Sequence, residues 1–271
     1  MSPTPPPAFT LPPMLALPDT APGLPLPQVR QEGHRLTLRF DTFSIQSAMC
    51  LDEPNRLVLE YTRAMMLFLL FNPAPQRVLM IGLGGGSLPK YGYHHLPDTD
   101  ITVVEINPAV IALRETFAVP PDGPRFRVLC GDGAEHVRAV RHSEDDSPRY
   151  DVVLVDGFDP GGQPEALCTQ DFYDACRAAL HPDGVLVVNL DSDPVATEPL
   201  LARIEHAFDS PPHTVLTEGG TNRIALAASA VQQQRAHAQV RRRWQALPAV
   251  HRQTLRRSPS DAQAPGWPTL G

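Results

Sequence analysis

The reading of the chain turns on Arg77-Val78-Leu79-Met80-Ile81-Gly82-Leu83-Gly84-Gly85-Gly86-Ser87-Leu88-Pro89-Lys90. Val78 to Ile81 suit a buried strand, and four glycines follow within five positions. A helix start comes next, with Ser87 expected as its N-cap and Pro89 in the first turn, where a missing N–H costs nothing. Glycines at a strand-to-helix turn let the backbone bend tightly and let a ligand approach main-chain atoms without meeting a Cβ. The spacing is Gly-x-Gly-x-Gly, and Ser87 stands where a dinucleotide fingerprint has its third glycine. The run alone therefore names no ligand, and a glycine-rich turn that binds nothing is the plain alternative.

Downstream, strands and helices alternate. Ile101 to Glu105 reads as a strand and Pro108 to Phe117 as a helix. Phe126 to Cys130 is a strand closed by Gly131-Asp132-Gly133, and Ala134 to Val140 is a helix. Tyr150 to Asp156 is nearly continuously apolar, the pattern of a central strand in a parallel sheet. A helix over Thr169–Leu180, a turn at His181-Pro182-Asp183-Gly184 and a strand over Val185–Leu190 follow. A helix over Glu198–Phe208 leads to two strands, His213–Glu218 and Arg223–Ser229, joined by a glycine-containing turn. The fold class is α/β: a doubly wound, mostly parallel sheet ending in an antiparallel hairpin.

Upstream, Leu36–Phe40 and Phe43–Met49 predict a small β-hairpin before the main sheet. Apolar positions at helical spacing predict a helix from Asp52 through Phe71. Residues 1–28 hold ten prolines and almost no charge, which predicts a disordered arm. From Val231 onward, arginines at 235, 241, 242, 243, 252, 256 and 257 occur with no acid before Asp261. A solvated basic helix docking on the body is the plain reading, and an RNA or acidic partner the sharper one.

Composition narrows the function. The net charge of −7 argues against nucleic acid as the partner of the whole protein, the arginine-rich C-terminal segment excepted. The apolar run Ala64–Phe71 is too short to span a bilayer. No signal peptide is visible and the four cysteines form no metal or C-x-x-C spacing, so a reducing cytoplasm and no metal are expected.

Ligands of open parallel sheets bind beyond the carboxyl ends of the strands. Here those ends carry the glycine turn, Glu105, Asp132 and Asp156. Glu105 can accept from ribose hydroxyls, and Asp132 from an adenine amine. An acid at a strand end is more often a helix cap, but three on consecutive units point to an adenosine pocket. NAD uses the glycines and Glu105 but does not call for Asp132, whereas an adenosine sulfonium uses all four. Asp156 and Asp159 would then attract a cationic amine and take its proton during an in-line displacement. The plain reading of Asp159-Pro160-Gly161 is a turn.

At these residues the chain resembles the spermidine synthase family of aminopropyltransferases, within the class I methyltransferase fold. The resemblance is carried by Tyr150-Asp151-Val152-Val153-Leu154-Val155-Asp156-Gly157-Phe158-Asp159-Pro160, then Pro164-Glu165-Ala166-Leu167 and Phe172-Tyr173. It implies Asp156 as general base, Glu105 as ribose ligand, Asp132 as adenine ligand and Gln46 as a contact from the small sheet. The implied donor-binding set is Gln46, Gly82, Gly84, Gly85, Gly86, Glu105, Ile106, Asp132, Gly133 and Asp156. Two departures stand out. Gly85 replaces an acid that in the family holds the aminopropyl amine, and the family's Tyr-(His/Gln)-Glu is not recognisable in Arg56–Tyr61.

The expected protein is therefore a transferase moving an alkyl group, aminopropyl or methyl, from S-adenosylmethionine or its decarboxylated form to a small amine. Ordinary spermidine synthesis is not expected, because of Gly85. A NAD-type oxidoreductase and a non-catalytic nucleoside-binding protein are the alternatives. The division expected is an arm (1–28), a hairpin (29–53), the nucleoside-binding domain (54–230) and a basic helix with its tail (231–271). A homodimer follows by analogy only.

Overall fold

The computed structural model describes residues 23–42, 44–141, 149–159 and 161–256. The expected arm, up to residue 22, and the tail beyond Arg256 lie outside them. Three antiparallel strands come first: β1 (Gln28–Glu32), β2 (Arg35–Arg39) and β3 (Ser47–Cys50). The expected hairpin is β2 with β3, and Leu36, Leu38 and Met49 bury its apolar face. β1 was not expected. It is exposed throughout, so its pairing with β2 rests on backbone bonds and leaves no alternation in the sequence.

The helix expected over 52–71 is shorter. It forms as α1 (Glu60–Met65) followed by a 3-10 segment, Met66–Leu70. Pro54 has no N–H to give a helix ladder. The Arg63 guanidinium binds the carbonyls of Leu57 and Val58, which a continuous helix would have used internally.

The main sheet contains β4 (Arg77–Ile81), β5 (Asp100–Glu105), β6 (Phe126–Cys130), β7 (Tyr150–Val155), β8 (Leu180–Asp191), β9 (His213–Leu216) and β10 (Asn222–Ala227). Their order is β6-β5-β4-β7-β8-β10-β9. Strands β4 to β8 pair in parallel, and β10 runs antiparallel to both of its neighbours. The turn expected at 181–184 is a bulge inside β8: Tyr150 pairs with Leu180, and the register resumes at Val152 with Val185.

Alternate residues of each central strand enter different cores, which is why β4 and β7 read as unbroken apolar runs. Met80, Val103, Val152 and Leu154 face one layer, made by α1, the 3-10 segment, α2 (Ser87–His95), α7 (Ala230–Ala246) and α8 (Ala249–Arg256). Ile81, Val104, Val153 and Val155 face the other, made by α4 (Gly133–Arg141), α5 (Gln170–Ala179) and α6 (Pro194–Phe208). The helix expected over 108–117 contracts to α3 (Pro108–Ile111) and continues as turns.

The basic C-terminal segment is part of the body. Ala236, Val240 and Trp244 of α7 are buried, and Arg243 binds the carbonyls of Leu70 and Phe71, closing the end of the 3-10 segment. Arg241 and Arg242 stay exposed. Among the described residues no helix is long and apolar enough to cross a membrane.

Candidate active site

A cavity of about 230 Å³ opens at the carboxyl ends of β4, β5, β6 and β7, roofed by the small sheet and α1. Gln46, Gly82, Gly84, Glu105, Ile106, Asp132, Gly133, Asp156 and Asp159 all line it. Gly85 and Gly86 do not. A Cβ at Gly85 would meet Ser47 Oγ at 2.7 Å and the Phe117 ring at 2.8 Å. Gly86, at φ +66°, is the N-cap of α2, a position expected for Ser87; the left-handed backbone there suits glycine, and Ser87 begins the helix proper.

Gly82 sets the distance between β4 and β7. Its φ is +92°, and a Cβ there would lie 2.2 Å from the carbonyl oxygen of Asp156. The amide of Asp156 donates to the carbonyl of Ile81 at 2.9 Å, so the carboxylate emerges beside the glycine turn.

Glu105 is 7% exposed. Its Oε2 accepts from the Leu83 amide at 2.7 Å and its Oε1 from the Asn107 amide at 2.8 Å, tying β5 to the glycine turn. Burial raises its carboxyl above the ordinary range, and the backbone donors oppose that rise. The amides of Gly84 and Ile106 are further donors to the same carboxylate. Asp132 caps α4, accepting from Ala134 at 2.7 Å through Oδ1. Asp159 Oδ1 accepts from the Gly161 amide at 2.7 Å and so shapes its own turn. Both acids thus hold a local structural bond while facing the cavity. Ile106, half exposed, adds an apolar side chain to the lining.

Asp156 has partners that the sequence reading missed. Tyr61 donates its hydroxyl to Oδ2 at 3.1 Å and lies 3.2 Å from the carbonyl of Gln46. Asn189 donates to Oδ1 at 2.9 Å, and its own oxygen accepts from Asn222 at 3.0 Å. Loss of water raises the Asp156 carboxyl above its usual range, with Asn189 and Tyr61 pulling the other way. Asn189 carried a legible signal: it is the one polar residue in the run Val185–Leu190. Leu24 and Pro25 also line the cavity, and the Pro25 carbonyl accepts from Asn107 at 2.8 Å. Among the described residues, no group of three or more His, Cys, Asp or Glu side chains is placed to hold a metal ion.

A sheet of this strand order with a ligand cavity at its parallel carboxyl ends defines the class I methyltransferase-like α/β fold. Residues 59–210 match the spermine/spermidine synthase domain. The chain is 41% identical to the polyamine aminopropyltransferase of Chromobacterium violaceum over 188 residues, 69% of this chain and 70% of that protein. It belongs to the spermine/spermidine synthase family and is a transferase. It is also 33% identical over 147 residues to a human eEF1A lysine and N-terminal methyltransferase, covering 49% of this chain and 21% of that protein. The crystal structure of human methyltransferase-like protein 13 in complex with SAH superposes with a TM-score of 0.61 at 26% identity, over 73% of this chain and 93% of that one.

Proposed function

We propose that the protein transfers an alkyl group from an adenosine sulfonium donor to an amine nitrogen, with Asp156 as the general base. The observation that carries this is the carboxylate of Asp156, held at both oxygens by Tyr61 and Asn189 in the lining of a cavity that also gathers Glu105, Ile106 and Asp132. The SAH bound by the methyltransferase-like relative supports an adenosyl donor. The donor is consumed, so it is a substrate; when bound it supplies an electrophilic carbon on positively charged sulfur.

In this reading Glu105 takes the ribose hydroxyls, Ile106 and Gly133 flank the adenine, and Asp132 accepts from its amine through the oxygen not used on α4. Asp159 draws a cationic acceptor toward the cavity. Asp156, its carboxyl raised by burial, removes the proton that frees the amine lone pair. Neither step asks for a metal.

Calorimetric titration with 5′-methylthioadenosine, the adenosine thioether part shared by the candidate donors, tests the reading against NAD. Binding of the thioether with no heat from NAD is expected. Tight NAD binding with silence from the thioether would overturn it.

A further inference from the structure

The proline-rich arm expected to be disordered through residue 28 ends against the cavity. Leu24 and Pro25 line it together with Ile106, Asn107 and Val110, and the Pro25 carbonyl accepts from Asn107 Nδ2 at 2.8 Å. Pro27 is buried, and the next residue opens β1, which pairs with β2 of the small sheet. The segment thus runs beside the cavity, between Asn107 at the start of α3 and the sheet that forms the roof.

Asn107 shows that this contact is built. It is 3% exposed, and three of its polar groups are in use. Its amide donates to Glu105 Oε1 at 2.8 Å, its Oδ1 caps α3 by accepting from the Ala109 amide at 3.0 Å, and its Nδ2 goes to Pro25. An aspartate would cap the helix as well. What asparagine adds is a donor, and that donor is spent on the segment. Pro25 and Pro27 have φ fixed and no N–H to satisfy, so little backbone freedom is lost when the segment is held. The segment walls the cavity and does not fill it, since about 230 Å³ stays open with Leu24 in place. Leu24 is half-buried and lines the cavity, whereas Leu26 is 57% exposed and outside the lining. Of these two leucines, Leu24 is the one that a ligand in the cavity can cover.

We infer that Leu24 and Pro25 are part of the donor-binding wall, a clasp held by Asn107 that closes on the adenosyl ligand and slows its escape. The inference rests on the transferase reading above. Asn107 is a positioning residue: its amide fixes the Glu105 carboxylate and its side chain fixes the clasp.

Calorimetric titration of the full chain and its full-length variants with 5′-methylthioadenosine tests this. The parent is expected to bind, Leu24→Ala to bind about fivefold more weakly or worse, and Leu26→Ala to match the parent within about twofold. Asn107→Asp keeps the cap of α3 and loses the donor to Pro25, so it too should weaken binding by about fivefold or more. Both changes act on one clasp, so the double variant should lose clearly less than the product of the two single effects. Four results overturn the inference and leave the transferase reading standing: affinity equal to the parent's in Leu24→Ala or Asn107→Asp, tighter binding by Leu24→Ala, an equal loss in Leu26→Ala, or the full product in the double variant. Silence of the parent toward the thioether overturns both.

Discussion

The hydroxyl of Tyr61 lies 3.1 Å from Asp156 Oδ2 although 95 residues separate them in the chain. α1 delivers the tyrosine from above the sheet, and β7 delivers the acid from within it. Burial and the neighbouring acid both raise the phenol well above its ordinary value, so Tyr61 acts as a donor and not as a second base. Asp156→Asn removes the proton acceptor, and transfer is expected to fall by about 10²- to 10⁴-fold. Because the folded state raises the Asp156 carboxyl, holding it charged at neutral pH costs stability. The same variant should therefore melt higher than the parent at pH 7, with the gap closing as the pH falls and the parent's carboxyl takes up its proton. Scanning calorimetry across that range, alongside a single-turnover assay, checks both halves.

Tyr61→Phe removes one of the two bonds that oppose the rise of the Asp156 carboxyl. The acid limb of the rate profile should move to higher pH, with the plateau rate reduced about tenfold or less. A profile that keeps its position while falling in height would place Tyr61 outside proton transfer.

Asn222 acts one bond further out. Its amide donates to Asn189 Oδ1, which obliges Asn189 to turn its own amide toward Asp156. Asn222→Ala frees Asn189 to rotate, so the acid limb is expected to shift in the same direction as in Tyr61→Phe, by less. Asn189→Leu should shift it further than Asn222→Ala, because it removes the donor outright. The order of the three pH profiles is the measurement, and the reverse order for the two asparagines would break the relay.

Gly82 is a backbone requirement. A Cβ at this residue would sit 2.2 Å from a main-chain carbonyl, on a residue whose φ is +92°. No side-chain rotation relieves a clash with backbone, so β4 and β7 would have to separate. Gly82→Ala is expected to cost about 3 kcal/mol or more and to abolish ligand binding. Gly84→Ala, where the nearest atom to a Cβ is 3.7 Å away, should fold better than Gly82→Ala despite its own positive φ. Denaturant titration of the pair reads the difference.

Much of this arrangement was legible because parallel strands write themselves plainly. Val78–Ile81 and Val152–Val155 are apolar on both faces, and the residue that ends each is where a ligand must meet the sheet. Glu105, Asp132 and Asp156 could thus be placed on one cavity from spacing. What stayed hidden depends on contacts across the fold. Tyr61 reaches Asp156 because α1 begins only at Glu60, after Leu57 and Val58 have given their carbonyls to Arg63, and no local pattern encodes that. The closure of Gly85 comes from Ser47 and Phe117, neighbours only after the small sheet has docked. The helix expected over 52–71 failed for a related reason: a segment buried on every side carries the same apolar residues whether it winds as α or 3-10.

Lys90 gives the last prediction. It sits in the first turn of α2, 1% exposed, with the Phe117 carbonyl at 2.6 Å and Met49 Sδ at 3.1 Å. Burial lowers its ammonium from 10.5 to about 7. The unfolded chain holds that proton up to about pH 10.5 while the folded chain releases it near 7, so the unfolded state binds more protons between those values. Stability of the parent should then rise with pH across that window. Lys90→Met keeps most of the volume and removes the titration, at the cost of leaving the Phe117 carbonyl without this donor. Its stability is expected to lack that rise over the same window and to exceed the parent's at pH 7, by about 2 to 4 kcal/mol once the lost hydrogen bond is allowed for. Urea titrations at pH 7 and pH 10 measure the two slopes, and parallel slopes would show that Lys90 is not buried as a charge.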